Sequence, residues 1–211
     1  MIGADLCHRP RGGAVPAMAL TPSTMLPLGS PLPLALLQQQ LQTVCGGALD
    51  PAALAGRPVL LLFLCPHCPF VHHIQPEVGR LARDYGDRVA LIGINSNSTL
   101  THPQDGPDGM RQQAEGQGWC FPYLQDSDQQ VAVALQAACT PDPFLFDADH
   151  RLAYRGQLDG SRPGNAIACD GRDLRAALDA VLAGRSPAEP QQPSIGCNIK
   201  WHPGREPAWA R

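Results

Sequence analysis

Val59-Leu60-Leu61-Leu62-Phe63-Leu64-Cys65-Pro66-His67-Cys68 is the stretch on which the fold turns. An unbroken apolar run of this length is far too short to span a bilayer and reads as a strand buried on both faces. Behind the second cysteine, Val71, Ile74, Val78 and Leu81 recur at spacings of three and four, which predicts a helix over 66–85. Pro69 falls in its first turn, where the missing N–H is harmless, and Pro76 in its interior. Strand, Cys-x-x-Cys, helix is the layout of a thiol redox site. The free N–H groups and positive dipole end of the helix tip favour a thiolate, so Cys65 is predicted to be the exposed, ionised sulfur and Cys68 the shielded one. A cysteine at pKa about 8.5 is only ~3% thiolate at pH 7, whereas one lowered to ~6 is ~90% thiolate.

Working outward, Val89-Ala90-Leu91-Ile92-Gly93-Ile94-Asn95 reads as a second buried strand followed by a polar loop. Helices are predicted over 107–118 and 127–138, the latter capped by Asp126 or Ser127, with a short extended Phe121-Pro122-Tyr123-Leu124 between them. Phe144-Leu145-Phe146 and Leu152-Ala153-Tyr154, joined by Asp147-Ala148-Asp149-His150, read as a hairpin. A last helix is predicted over 171–183. Residues 1–34 are Pro-rich and read as an irregular extension, 35–185 as the domain, and 186–211 as a Pro-rich tail whose Ile195, Ile199 and Trp201 need a surface to cover. Met18 reads as the start of the folded part, because 1–17 carries no core periodicity.

The whole chain of 211 residues suits one domain of about 150 residues with extensions. A net charge of −3 with no Lys/Arg stripe excludes an electrostatic case for nucleic acid. With no apolar run long enough to span a membrane and no secretory pattern at the N-terminus, a cytoplasmic protein is predicted. Its eight cysteines are then mostly reduced thiols.

Phe63-Leu64-Cys65-Pro66-His67-Cys68-Pro69-Phe70-Val71, Asn95-Ser96-Asn97, Phe121-Pro122-Tyr123-Leu124, Cys139-Thr140-Pro141-Asp142 and Ser194-Ile195-Gly196-Cys197-Asn198-Ile199-Lys200-Trp201 together resemble the redoxin family, thioredoxin-like and peroxiredoxin-related small bacterial proteins of the AhpC/TSA type. The resemblance covers residues 18–201 and implies a thioredoxin-like α/β fold, a central mixed β-sheet flanked by helices, with irregular N- and C-terminal extensions. It implies that Thr140-Pro141 is the cis-proline loop facing the sulfurs, shaping a substrate groove in which Thr140 backbone groups pair with an extended substrate chain. The activity implied is thiol-disulfide exchange by a Cys65-Pro66-His67-Cys68 centre: Cys65 attacks, Cys68 resolves, substrates are protein or small-molecule disulfides, and a thiol reductant is the partner. No cofactor and no metal are implied.

The departures are specific. Leu64 and Pro66-His67 stand where thioredoxin has Trp and Gly-Pro, and Pro-His resembles periplasmic disulfide-forming oxidoreductases, whose large helical insertion is missing here. Pro58 matches the proline of the peroxiredoxin motif, but Leu62 stands where that motif has a hydroxyl. Thiol peroxidase chemistry, with Cys65 oxidised by peroxide and resolved by Cys68, is therefore the alternative reading. A redox-inactive or metal-binding module using Cys65 and Cys68 is a further one.

His67, between the sulfurs, is predicted to donate to the thiolate and so make the disulfide a stronger oxidant. His72 and His73 are neighbours on a helix, about 100° apart, and read as solvated rather than as a zinc pair. Cys139 and Cys197 are candidate extra redox thiols, able to act as a relay pair if within disulfide reach. Cys7, Cys45, Cys120 and Cys169 read as ordinary cysteines. Arg162, in Ser161-Arg162-Pro163-Gly164-Asn165, reads equally as a groove residue or as part of a turn.

Overall fold

A computed structural model describes residues 20–39 and 41–210. The segment 1–17, including Cys7, lies outside the described residues. The predicted strand is β3, Val59–Phe63, and every residue in it is buried. Successive side chains of a strand point to opposite faces. Leu60 and Leu62 accordingly enter one apolar cluster and Val59, Leu61 and Phe63 the other. Two covered faces are what require an unbroken apolar run.

The first face is covered by α2 (Pro69–Tyr85), α3 (Pro107–Gln117) and α5 (Arg172–Leu182), through Val71, Ile74, Val78, Met110, Leu174 and Leu178. The second is covered by the short helices α1 (Leu34–Gln38) and α4 (Gln130–Leu135), through Leu37, Val131 and Leu135. Burying one such Leu or Val side chain stabilises the fold by about 1.5–3 kcal/mol, so the two faces of β3 carry much of the core.

The remaining strands of the main sheet are β2 (Gln42–Cys45), β4 (Ala90–Asn95), β5 (Tyr123–Gln125), β7 (Asp142–Phe146) and β8 (Leu152–Tyr154), in the order β2-β5-β4-β3-β7-β8. β3 pairs parallel with β4 and antiparallel with β7, and β7 and β8 form the predicted hairpin. This is a mixed sheet between helical layers, the thioredoxin-like fold expected from the sequence.

A second, three-stranded sheet of β1 (Leu20–Pro22), β9 (Ile195–Asn198) and β6 (Cys139–Thr140), in the order β1-β9-β6, joins the main sheet where β6 runs through Pro141 into β7. The described part of the N-terminal extension is thus not wholly irregular: Leu20–Pro22 is a strand and Leu34–Gln38 a helix. The helix expected over 66–85 starts only at Pro69, because Cys68 is still extended, and it continues through Pro76 to Tyr85. The helix expected over 127–138 is confined to Gln130–Leu135 because Gln129 and Gln136 have positive φ at its two ends. Asp126 does supply its start, accepting from the backbone N–H groups of Val131 at 3.2 Å and Ala132 at 3.0 Å.

Candidate functional site

The end of β3 and the start of α2 bring the two sulfurs to the loop between β6 and β7. Cys65 Sγ lies 3.3 Å from Thr140 Oγ1, and Cys68 Sγ lies 3.2 Å from the Thr140 carbonyl oxygen. The peptide bond between Thr140 and Pro141 is cis. Thr140 therefore meets both sulfurs, one through its side chain and one through its backbone.

Neither sulfur is exposed: Cys65 and Cys68 both have 0% of their surface accessible. The expectation of an exposed Cys65 is corrected by this burial. Cys65 also lies three residues short of the helix cap, which is Cys68. Burial, first, then the neighbouring Cys68 and the carboxylate of Asp105 push the Cys65 thiol well above its ordinary value, with Thr140 opposing. Interaction with the Cys197 sulfur, first, and then with Cys65 holds the Cys68 thiol low.

Cys197 was singled out as a possible partner of Cys139, and the ladder places it elsewhere. Thr140 stands opposite Cys197, and Cys139 opposite Asn198. Because side chains alternate along paired strands, Cys139 and Cys197 point to opposite faces. Cys139 directs its sulfur to the Pro141 carbonyl oxygen at 3.6 Å, while Cys197, opposite Thr140, faces the side of the ladder on which the Thr140 side chain meets Cys65. Burial pushes the Cys139 thiol well up. The Cys139–Cys197 relay is thus replaced by a Cys65–Cys68–Cys197 cluster.

The same ladder corrects the substrate groove. The Thr140 edge assigned to an extended substrate chain is already paired with β9. Gly196 makes that approach possible, since a Cβ there would lie 2.1 Å from the Thr140 carbonyl oxygen. Ser194 closes the contact, its hydroxyl donating to the Pro141 carbonyl at 2.6 Å.

His67 does not reach the thiolate as expected. Its backbone N–H and ring Nδ1 both face the buried carboxylate of Asp105, at 3.2 Å and 2.5 Å. A carboxylate at Nδ1 fixes the ring's orientation and draws the proton to that nitrogen. Asn97 Nδ2 donates to Asp105 Oδ2 at 2.9 Å, and Asn95 Nδ2 donates to the Asp105 carbonyl at 2.6 Å. His102 stacks on His67 with ring centres 5.0 Å apart. Asn95 and Asn97 were legible only as family-like residues, and Asp105 was not singled out at all. An aspartate in a polar loop carries no sequence signal that it will be fully buried. Gln113 was missed likewise; its Nε2 donates to the Cys65 carbonyl at 3.3 Å and its Oε1 accepts from the Tyr123 hydroxyl at 3.2 Å.

Donor atoms of Cys65, His67 and Asp105 lie within 4.8 Å of one another, a possible metal triad by distance. The chemistry is less favourable, because hydrogen bonds from His67 and Asn97 already occupy the Asp105 oxygens. Pro66 and His67 border a groove of about 440 Å³ with Gln104 and Gln113. The remaining candidates lie apart from the sulfurs. His72 is exposed and bonds to the Pro66 carbonyl, and half-buried His73 meets Ser161 Oγ at 3.0 Å. Arg162 is tied into its own turn by the carbonyls of Asp159 at 2.7 Å and Ser161 at 2.6 Å, so the turn reading holds. All described cysteines are free thiols.

Residues 31–155 match the AhpC/TSA family. An uncharacterized conserved protein from Geobacillus kaustophilus is 46% identical, covers 89% of this chain and 99% of its own, and superposes with a TM-score of 0.82. A hypothetical protein from Sinorhizobium meliloti is 39% identical over 87% of this chain and 100% of its own, with a TM-score of 0.78. A secreted Mycobacterium tuberculosis disulfide oxidoreductase is 22% identical over 71% of this chain and 98% of its own, with a TM-score of 0.51, and shares the fold. No curated protein matches the chain.

Proposed function

The chain belongs to the AhpC/TSA family, and on that footing we propose that it is a thiol-disulfide oxidoreductase working through Cys65 and Cys68. The observation that carries this reading is the meeting of both sulfurs on Thr140 at the start of α2, Cys65 on its side chain at 3.3 Å and Cys68 on its carbonyl oxygen at 3.2 Å. The thioredoxin-like fold, which it shares with a protein named a disulfide oxidoreductase, supports the reading.

Cys65 first gives its proton to solvent, which leaves its sulfur as the thiolate nucleophile. The Cys65 thiolate then attacks one sulfur of a substrate disulfide. A Cys65-substrate bond forms, the substrate S–S bond breaks, and its second sulfur leaves as a thiolate that collects a proton from solvent. Cys68 next gives up its proton and attacks Cys65 Sγ, forming the Cys65–Cys68 disulfide and releasing the remaining substrate thiol with that proton. The substrate gains two electrons and two protons, and the chain loses them. A thiol reductant reverses the change on the protein, and run backwards the same steps oxidise a dithiol.

Cys65 is the attacking sulfur in this scheme because it leads into the Pro66-His67 turn that borders the groove, whereas Cys68 is the cap of α2. Asp105 keeps His67 anchored beside Cys65, which fixes the Pro66-His67 turn between the sulfurs. Leu62, buried in the core, offers no hydroxyl for peroxide. The deciding experiment compares, for the reduced protein, the rate of reaction with a low-molecular-weight disulfide and with hydrogen peroxide. Faster, Cys65-dependent reaction with the disulfide is expected. A fast, saturating peroxide reaction lost in Cys65→Ser would put thiol peroxidase chemistry in its place, and inertness to both would remove the redox reading.

A further inference from the structure

We propose that Cys197 is a third redox thiol of this site, exchanging with Cys68 so that the oxidised protein holds either a Cys65–Cys68 or a Cys68–Cys197 disulfide. The inference rests on the reading of Cys65 and Cys68 as an exchanging pair.

The backbone carries it first. β9 lies against the edge of β6, the place where an extended chain adds to a sheet by backbone pairing. Its register sets Cys197 opposite Thr140, and Thr140 is the residue whose side chain and carbonyl touch Cys65 and Cys68. A residue facing Thr140 across the ladder is delivered to the sulfurs by the pairing itself. Gly196 lets the strand come close, and Ser194 fastens it to Pro141.

Side-chain contacts agree. Cys197 is 7% exposed, packs in one apolar cluster with Cys65 and Cys68, and stands on the same side of the ladder as the Thr140 side chain that meets Cys65. β9 thus pairs with the Thr140 edge and presents its own thiol to the centre.

The exchange needs no external oxidant or reductant. Starting from the Cys65–Cys68 disulfide, Cys197 sulfur attacks Cys68 Sγ. The Cys68–Cys197 bond forms, the Cys65–Cys68 bond breaks, and the electron pair departs on Cys65. The proton lost by Cys197 goes to Cys65 or to solvent. The protein remains oxidised by two electrons, but its attacking sulfur is again a free thiol. Three thiols hold one disulfide at a time, so Cys65 is freed without any reductant being consumed.

The test uses the full-length reduced protein and oxidised glutathione. After exposure, free thiols are blocked by alkylation and the protein is digested without reduction. In wild type, two species are expected: one with Cys65 and Cys68 linked and Cys197 alkylated, the other with Cys65 alkylated and the Cys68 and Cys197 peptides cross-linked. Cys65→Ser, shown to be folded by circular dichroism, should give the cross-linked peptides alone. Cys197→Ser should give only the Cys65–Cys68 species. A wild type whose Cys197 is always alkylated, or a Cys65→Ser variant that keeps both thiols free or carries only glutathione adducts, overturns the proposal while leaving the Cys65–Cys68 reading standing. Absence of every intramolecular disulfide from wild type would instead overturn the underlying redox reading.

Discussion

The Arg155 guanidinium lies 3.4 Å from the Asp142 carboxylate, and neither side chain reaches solvent. Asp142 directly follows Pro141, and its carboxylate also accepts from Ser23 Oγ at 2.7 Å and from the Ala138 N–H at 3.3 Å. Arg155 stacks over Phe144 with 4.5 Å to the ring centre, donates to the Gln136 carbonyl at 2.8 Å, and leaves Nε and Nη1 without a partner among the described residues. The pair fixes the floor beneath the loop that touches both sulfurs.

Breaking that pair from one side leaves a buried, uncompensated charge, so Arg155→Leu should cost about 3–5 kcal/mol at pH 7. Burial, partly offset by Arg155, already raises the Asp142 pKa, and removing the cation raises it further. A raised folded-state value means stability that is present in full below the unfolded value and lost as pH rises through the folded one. The difference from wild type should therefore be larger at pH 7 than near pH 4. Urea unfolding of both proteins at the two pH values measures this, and a pH-independent difference would mean that Asp142 does not titrate in the folded variant.

Cys65→Ser should slow disulfide exchange sharply, leaving only the slower oxidation of Cys68 with Cys197, whereas Cys68→Ser should accumulate a covalent adduct with a disulfide substrate, because Cys65 is the principal attacking sulfur. Intact mass after incubation with oxidised glutathione reads both outcomes. Stable adducts in Cys65→Ser and none in Cys68→Ser would reverse the assignment of attacker and resolver.

The Asp105 carboxylate is one of the groups that push the Cys65 thiol up. Asp105→Asn should therefore let Cys65 ionise at lower pH and alkylate faster at neutral pH, even though His67 loses its anionic partner. The pH profile of alkylation, followed at the Cys65 peptide, should move to lower pH. A profile that stays in place would show that burial and Cys68 alone set the ionisation of Cys65.

Gly196→Ala places a methyl group against the backbone of Thr140, which cannot swing away as a side-chain tip would. The strands must part, at a cost of about 1–3 kcal/mol. Faster hydrogen exchange at the amides of the β6–β9 ladder and faster alkylation of Cys65 and Cys68 are expected together. Unchanged exchange and alkylation would mean that β9 adapts without uncovering the sulfurs.

The sequence made β3, α2, α3, α5 and the β7–β8 hairpin legible because each buries a regular apolar pattern. Leu60 and Leu62 face helices on one side and Leu61 and Phe63 on the other, so an unbroken run carries the answer. β1 and β9 were not legible as strands. They are three and four residues long, lie in Pro-rich surroundings, and exist through a pairing with each other and with β6 that no local pattern announces. The burial of Asp105 and the meeting of Cys68 with Cys197 are long-range consequences of the same kind. The Cys-x-x-Cys motif named the chemistry, and the enclosure of its sulfurs had to come from the fold.

In the small sheet, Leu20 pairs opposite Cys197, so its hydrogen bonds join positions near the two ends of the described chain. Contacts between residues so far apart in sequence close a very long loop and form slowly. The β3–α2–β4 unit and the β7–β8 hairpin use nearer partners and precede it in synthesis. On the ribosome, Cys65 and Cys68 therefore emerge and pack long before the strand that hides them exists. Until β9 has been made, Thr140 lacks its partner strand, so the ladder that sets Cys197 beside the site is among the last contacts open to the growing chain.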